Sequence, residues 1–227
     1  MSTIYIQKEG GPQNEPVSEA NPFPVQPFHD PAQSFFDFRL PMSVGWDAAL
    51  IFGGYAFLAG DADQNDTVTG QTSFGAGGTT PTFMLRNPVG SDRIIYPQFH
   101  NLTQSGSVAG GDITILNEID YDAYVSDGTS ERVKNQRYGM PSHPTNKGLL
   151  YSSPTAATSF GIPAGLPATL APDVSPAEGV INIYQWDNPG GVLLDPNTCL
   201  KVFTYAASTG PTWLWGFAWF EIPLAWL

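Results

Sequence analysis

Residues 212–222 read TWLWGFAWFEI, and this segment decides the fold class. In a β-strand, successive side chains point to opposite faces, so alternation places four aromatic rings on one face: Trp213, Trp215, Phe217 and Trp219. The opposite face carries four apolar side chains: Leu214, Ala218, Phe220 and Ile222. A strand that is apolar on both faces must be covered on both faces, which predicts a central strand within packed layers.

Three interpretations are open for the aromatic strip, by which we mean Trp213, Trp215, Phe217 and Trp219. The rings fill a core covered by the protein's own segments, form an interface with another subunit, or make a flat platform on which sugar rings stack. The second and third interpretations assign the strip to partner binding. They differ from the first in requiring that the rings be accessible from outside the chain.

The same alternation recurs along the chain. It is found in SFFDFRL (34–40), DITIL (112–116), IDYDAYV (119–125), VINIYQW (180–186) and CLKVFTYA (199–206). We expect Asn117 and Glu118 to form the turn between the second and third of these strands. Short strands with no helix-period segment between them predict an all-β protein, an antiparallel β-sandwich of jelly-roll-like type over residues 34–227.

Residues 48–59, AALIFGGYAFLA, are apolar on both faces. They predict a buried strand pair, with Gly53 and Gly54 forming a bulge or a tight hairpin. A buried helix is the alternative, and the paired glycines argue against it because glycine destabilises a helix interior. Residues 152–179 hold five prolines and no strand pattern. A long loop is expected there, of the kind that serves binding or lies on a neighbouring subunit.

Charge excludes several classes of partner. The 227 residues include nine Lys and Arg against 21 Asp and Glu, a formal net charge of −12. This balance disfavours phosphate backbones and anionic lipids, so we predict no nucleic-acid and no membrane partner. The longest apolar stretch, residues 48–60, is too short to span a bilayer. Only 13% of the residues are charged, which favours a surface partly covered by other protein.

Residues 1–33 are predicted to be an extended N-terminal docking arm, separate from the sandwich. Six prolines between residues 12 and 31 prevent helix formation and regular strand pairing, and they favour extended chain. Apolar side chains are interspersed among them, which suits a segment laid along a groove of a partner. The predicted partner-binding residues of the arm are Val17, Phe23, Val25 and Phe28.

Catalytic patterns are sparse. His29, His100 and His143 lie in turn-like contexts with no nucleophile motif beside them. Asp120 and Asp122 share one face of the strand predicted at 119–125, where a glycosidase would place paired carboxylates, although alternation alone explains a solvated acidic face. Cys199 alternates within a strand, as an inert small apolar residue does. We therefore predict no enzymatic activity, no catalytic residues and no cofactor.

Two polar segments are candidate binding sites. Residues 61–66 resemble the opening of a calcium loop, with oxygen ligands at Asp61, Asp63, Asn65 and Asp66, but the expected glycine and the closing glutamate are missing. An exposed polar turn is the alternative. Residues 126–148 hold a basic patch that is either a solvated loop or a surface complementary to an acidic neighbour: Arg132, Lys134, Arg137 and Lys147.

Residues 11–25, GPQNEPVSEANPFPV, resemble a phrase found near the N-termini of tailed-bacteriophage virion proteins, P-V-S-x-x-N-P-L-P-V, with Phe23 in place of the leucine. The closing string Trp219, Glu221, Ile222, Pro223 and Leu224 is similar to W-x-E-I-P-L in such proteins. The resemblance implies a virion structural protein of the capsid decoration or cement type. It further implies a homo-oligomer, a trimer in particular, whose arm reaches across neighbouring subunits.

The sequence thus favours a non-enzymatic protein that binds and stabilises a viral capsid shell through its arm and through aromatic-rich subunit interfaces. Its expected partners are the major capsid protein or other virion subunits, and its expected location is the virion, assembled in the host cytoplasm. The first alternative is a receptor- or carbohydrate-binding sandwich of a phage tail or fibre. The second is a β-sandwich glycoside hydrolase or lyase that uses Asp120 and Asp122.

Overall fold

The computed structural model describes residues 5–6, 15–16, 46–61, 66–72, 79–105, 109–137, 145–156, 161–172, 182–188 and 191–227. The chain divides into two compact units, Met1–Ser34 and Phe35–Leu227. In the first unit, strands β1 (Tyr5–Ile6) and β2 (Glu15–Pro16) pair antiparallel. The predicted arm residues Val17, Phe23, Val25 and Phe28 and the strand predicted at 34–40 lie outside the described residues.

The second unit is built almost entirely from strands. Its first elements in chain order are α1 (Trp46–Gly53), β3 (Ala56–Gly60), β4 (Val68–Thr69), β5 (Phe83–Asn87), β6 (Arg93–Ser105), β7 (Ile113–Asp120), β8 (Val125–Ser126), β9 (Thr129–Ser130) and β10 (Lys134–Asn135). The remaining elements are β11 (Leu149–Ser152), β12 (Thr155–Ala156), β13 (Ile162–Pro163), β14 (Ala168–Leu170), β15 (Ile183–Trp186), β16 (Thr198–Tyr205), β17 (Thr212–Pro223) and a 3₁₀ helix (Leu224–Trp226).

Two antiparallel sheets carry most of these strands. Sheet I has the order β10-β3-β17-β6-β15, with β4 also paired to β17, and sheet II has the order β13-β7-β16-β5-β11-β9, with β14 also paired to β7. A further small pair joins β8 and β12. Among the described residues, the helices are too short to cross a lipid bilayer.

The strand order is that of a jelly roll. Of eight principal strands, the first pairs with the last (β3 with β17), the second with the seventh (β5 with β16), the third with the sixth (β6 with β15) and the fourth with the fifth (β7 with β14). The pairings of β17 with β6 and of β16 with β7 then join these nested hairpins into two sheets. The predicted antiparallel β-sandwich of jelly-roll type is therefore confirmed.

The core lies between the two sheets and is dominated by aromatic rings. Phe83 of sheet II packs against Trp215 and Phe217 of sheet I, with ring centroids 5.4 and 5.3 Å apart. Phe57 stacks on Trp219 within sheet I, at 6.3 Å. Aliphatic side chains from both sheets, such as those of β6 and β16, complete one continuous buried cluster. Burial of this apolar surface is the main favourable contribution to folding.

The expectation of a strand pair at 48–59 is wrong in its first half. Residues Trp46–Gly53 form α1, and Gly54 ends it in the left-handed region with a φ of 77°. The N–H of Gly54 donates to the carbonyl of Ile51, and the N–H of Tyr55 donates to that of Leu50. The glycine pair therefore terminates a helix instead of turning a hairpin. α1 covers the outer face of sheet I, where Leu50, Ala56 and Phe220 form a second buried cluster.

The hairpin predicted around Asn117 and Glu118 is also wrong. Both residues lie inside the continuous strand β7, where they pair with Val202 and Lys201 of β16. The chain leaves the sheet after Asp120, so the strand predicted at 119–125 is not formed. The predicted loop at 152–179 contributes three short strands in its described part, β12, β13 and β14. Two of them, β13 and β14, pair with β7 along the edge that β16 leaves free, although β13 contains Pro163.

Candidate functional site

The aromatic strip lies in the protein's own core. Its four side chains are buried, and each indole N–H has a partner within the chain. Trp213 Nε1 donates to Thr204 Oγ1 at 2.9 Å, Trp215 Nε1 to the Asp66 carbonyl at 3.1 Å, and Trp219 Nε1 to Glu221 Oε1 at 3.1 Å. This corrects the assignment of the strip to an interface or a glycan platform, because buried and internally bonded rings offer no surface to a partner.

His100 belongs to a polar network inside the sandwich. The Asn117 amide oxygen lies 2.8 Å from His100 Nε2, and the Asn117 amide nitrogen donates to the Tyr184 hydroxyl at 2.8 Å. An amide oxygen only accepts, so Nε2 carries the imidazole proton. Phe217 and Trp186 stack on the ring, at 5.0 and 5.4 Å. Burial lowers the pKa of His100 to about 4, while the hydrogen bond to Asn117 raises it by a smaller amount.

This burial predicts a specific loss of stability in acid. The unfolded chain protonates His100 near its ordinary pKa of 6.5, whereas the folded protein keeps it neutral down to about 4. Stability linked to His100 is therefore intact above 6.5 and is lost as the pH falls towards 4, by about 2 kcal/mol between roughly pH 7 and pH 4.5. Urea unfolding of the protein and of His100→Gln at both pH values measures this, because other titrating groups cancel in the difference. Parallel pH profiles for the two proteins would contradict the prediction.

Asp120 and Asp122 do not form a carboxylate pair on one strand face. Asp120 is 7% exposed on the outer face of sheet II, and its Oδ2 lies 2.6 Å from Nζ of Lys201, which is 0% exposed. Asp122 lies in the loop after β7, where its Oδ1 accepts the N–H of Tyr124 at 2.9 Å. The expected solvated acidic face is therefore wrong for Asp120, since the loop and the short strands beside it cover this part of the sheet.

Lys201 and Asp120 belong to a group that we call the sheet II charge cluster: Asp120, Lys201 and Glu118. Glu118 is the Cα partner of Lys201 across the β7–β16 pair, so the two side chains share a face. The carboxylate of Glu118 is buried and accepts the N–H of Gly161 at 3.1 Å. This cluster is not predicted by the sequence, because the alternation of β16 does not show that both of its faces are covered.

Cys199 neighbours the sheet II charge cluster as the Cα partner of Asp120. Its thiol is buried, and this burial raises the pKa of Cys199 to about 12. The nearby ammonium of Lys201 acts in the opposite direction but to a smaller extent. A thiol held in its protonated form is a poor nucleophile, so this cysteine contributes packing to the outer face of sheet II.

The calcium candidate is described only in part. Asp63 and Asn65 lie outside the described residues, and the N–H of Asp66 lies 3.4 Å from Asp61 Oδ1. Glu131 is a neighbour that the sequence pattern missed. Its pKa is raised mainly by burial and also by the charges of Asp66 and Asp61. Within the described ranges, no group of three or more His, Cys, Asp or Glu side chains is placed to hold a metal ion.

The four residues of the basic patch differ in their surroundings. Lys134 lies in β10 opposite Leu58, and the guanidinium of Arg137 donates to the carbonyl of Phe52, so both residues are held against the segment from α1 to β3. Lys147 has an exposed side chain, while its backbone N–H donates to Glu221 at 2.8 Å. Arg132 is exposed in the segment between β9 and β10.

Apolar side chains are exposed along one edge of the sandwich, where β15 ends sheet I and the β13–β14 segment pairs with β7. The indole of Trp186 donates to the carbonyl of Ala164 at 3.1 Å and so joins this segment to β15. Three side chains on these elements are more than half exposed, and we call them the apolar edge: Ile162 (52%), Leu166 (92%) and Ile183 (65%). Unpaired sheet edges with apolar side chains are common sites of association.

No protein-family model, curated protein or solved structure matches this chain.

Proposed function

We propose that this chain is a non-enzymatic structural protein of a virion, which binds and stabilises a capsid shell as a decoration or cement protein. The jelly roll alone does not select this function, because capsid, lectin and cupin domains share it. The proposal is supported by the contacts of the side chains that the two alternatives would require. The indoles that would stack on sugars are bonded inside the core, and the carboxylate that would attack a glycosidic bond is paired with Lys201.

Contact with other subunits is assigned to two parts of the chain. The arm would place Val17, Phe23, Val25 and Phe28 in a groove of the major capsid protein or of another virion subunit. The apolar edge offers Ile162, Leu166 and Ile183 for contact between copies in a homo-oligomer, a trimer in particular. The net charge is −12, and a few cations such as Arg132 and Lys147 are exposed. These cations would pair with acidic side chains of neighbouring subunits.

Binding to shells tests the arm. In the full chain, Phe23→Ser combined with Phe28→Ser is expected to weaken co-sedimentation with assembled shells about a hundredfold, because burying each phenylalanine contributes roughly 1.5 kcal/mol or more. The shells are assembled from the candidate major capsid protein, and bound protein is quantified across a concentration series. Val89→Ser, at an exposed turn, is the matched control and should bind as the unmodified chain does.

The possible results distinguish a failure of the arm hypothesis from a failure of the proposed virion function. If the double variant binds shells with undiminished affinity, the arm is not the docking element. If the unmodified protein fails to bind shells, the proposed virion function is wrong. A shift of tryptophan fluorescence on adding glycans, abolished by changing a strip residue, would favour the carbohydrate-binding alternative instead.

A further inference from the structure

The sheet II charge cluster brings an amine and a carboxyl group into a rare arrangement. Nζ of Lys201 lies 2.6 Å from Oδ2 of Asp120, and the two residues sit on neighbouring antiparallel strands, β16 and β7. Lys201 is fully buried and Asp120 nearly so. Removing two charges from water is costly, and a close pair recovers this cost only in part. The hydrogen bond between the two groups is also a direct path along which a proton can pass from the amine to the carboxylate.

We propose that Lys201 and Asp120 react with each other to form an intramolecular amide bond, with Glu118 transferring the protons. The bond would join the middle of β16 to the end of β7 and would link these two strands of sheet II covalently. It is a modification made by the protein's own residues, and it does not depend on the proposed function.

The reaction balances without any co-reactant. Proton transfer across the hydrogen bond converts the ammonium and the carboxylate into a neutral amine and a carboxylic acid. The lone pair of Nζ then attacks Cγ of Asp120, and a new N–C bond forms. The tetrahedral intermediate loses one Cγ–O bond as the hydroxyl leaves with a proton taken from nitrogen. The products are one amide and one water molecule, and no group is oxidised or reduced.

Glu118 occupies the position from which this proton can be moved. It is the Cα partner of Lys201, and side chains directly opposite each other across antiparallel strands have Cβ atoms about 5 Å apart. The N–H of Gly161 holds its carboxylate at one oxygen, 3.1 Å away. On the opposite side of Lys201 the Cα partner is Met84, which belongs to a buried apolar cluster. The amine is thus fully buried, with Met84 as its cross-strand neighbour on one side and Glu118 as its cross-strand neighbour on the other.

The fold lowers the entropy cost of such a reaction, because it holds the two reacting groups side by side before they react. Lys201 is fixed by strand pairing on both sides, because β16 pairs with β7 and with β5, and Asp120 is held by its pairing with Cys199. Well-oriented groups within one molecule react as if at effective concentrations of about 10⁵ M or more. An amide that forms only slowly between free amines and acids can therefore form in the folded protein.

Intact mass spectrometry of the purified full-length chain, unfolded and reduced, tests the proposal. The protein is expected to be lighter than its sequence mass by one water molecule. Trypsin should leave Lys201 uncleaved and release a branched peptide that contains both Lys201 and Asp120. A mass equal to that of the sequence would overturn the proposal.

Two variants exclude other sources of water loss. Asp127 precedes Gly128, and cyclisation of an aspartate to a succinimide also releases one water molecule. Lys201→Arg abolishes the amide but not a succinimide, so persistence of the mass loss in this variant would overturn the proposal. Lys147→Arg, at an exposed lysine, is the matched control and should keep the loss.

Asp120→Asn gives an independent check that does not require the amine to be changed. Attack on the side-chain amide would release ammonia instead of water, so the joined product has the same mass as the joined unmodified protein. If the unmodified protein and Asp120→Asn instead each showed the full mass of its own sequence, the bond would be absent and the proposal would be wrong. Glu118→Gln is expected to leave the chain at its full sequence mass, and complete bond formation in this variant would overturn the role given to Glu118.

Discussion

Replacing Lys201 with methionine is expected to lower the free energy of unfolding by about 3 to 5 kcal/mol, because it leaves the carboxyl group of Asp120 buried without its amine. Methionine keeps much of the length and volume of lysine, so the loss reports the polar partner and not a cavity. The free energy of unfolding is expected to fall whether the two groups form an ion pair or an amide, because the variant can form neither.

Urea unfolding followed by tryptophan fluorescence measures this change. Lys147→Met removes a positive charge from an exposed side chain and is expected to alter stability by no more than about 0.5 kcal/mol. Adding Asp120→Leu to Lys201→Met removes the stranded carboxyl group and should restore part of the loss. If Lys201→Met were as stable as the Lys147→Met control, the buried pair would contribute nothing to the fold.

Trp219→Ala is the second change with a large expected effect, a loss of about 3 to 5 kcal/mol. The indole is fully buried between the sheets and stacks on Phe57 at 6.3 Å. Its N–H is one of the donors that hold the buried carboxylate of Glu221, together with the N–H groups of Lys147 and Gly148. Truncation therefore opens a cavity and removes a hydrogen bond to a buried acid.

Thermal and urea unfolding of Trp219→Ala should be compared with Leu166→Ala, which truncates a side chain that is almost fully exposed. The leucine variant is expected to change stability by about 0.5 kcal/mol or less. A strip that served glycans or a neighbouring subunit would tolerate the loss of Trp219 while the isolated protein stayed folded. Equal stability of the two variants would thus contradict the placement of Trp219 in the core.

The sandwich could be predicted because alternation is a local property of strands. The segments that became β15, β16 and β17 each show it within a few residues, and the apolar character of both faces of β17 correctly predicted a central strand. What these rings touch is not local. Whether Trp213 packs on its own chain or on a partner depends on where sheet II lies, and no pattern in residues 212–222 contains that information.

Other errors have the same origin. Gly53 and Gly54 fit a hairpin as well as a helix end, and the choice is made by the outer face of sheet I, which α1 covers. Asn117 is a common turn residue, yet pairing with β16 keeps both Asn117 and Glu118 extended. The sheet II charge cluster could not be predicted for a further reason. Lys201 is buried by segments distant in sequence, and lysine is almost never fully buried unless it is paired.

Pairing between β3 and β17 sets the order of events during synthesis. Gly60 lies opposite Gly216, so sheet I cannot be completed until β17 has left the ribosome, roughly 10 to 30 s after β3 at usual rates of translation. During that interval Phe57 and Leu102 lack the tryptophans that cover them in the finished fold. Nascent chains of this protein therefore carry apolar strands without partners until β17 has been synthesised.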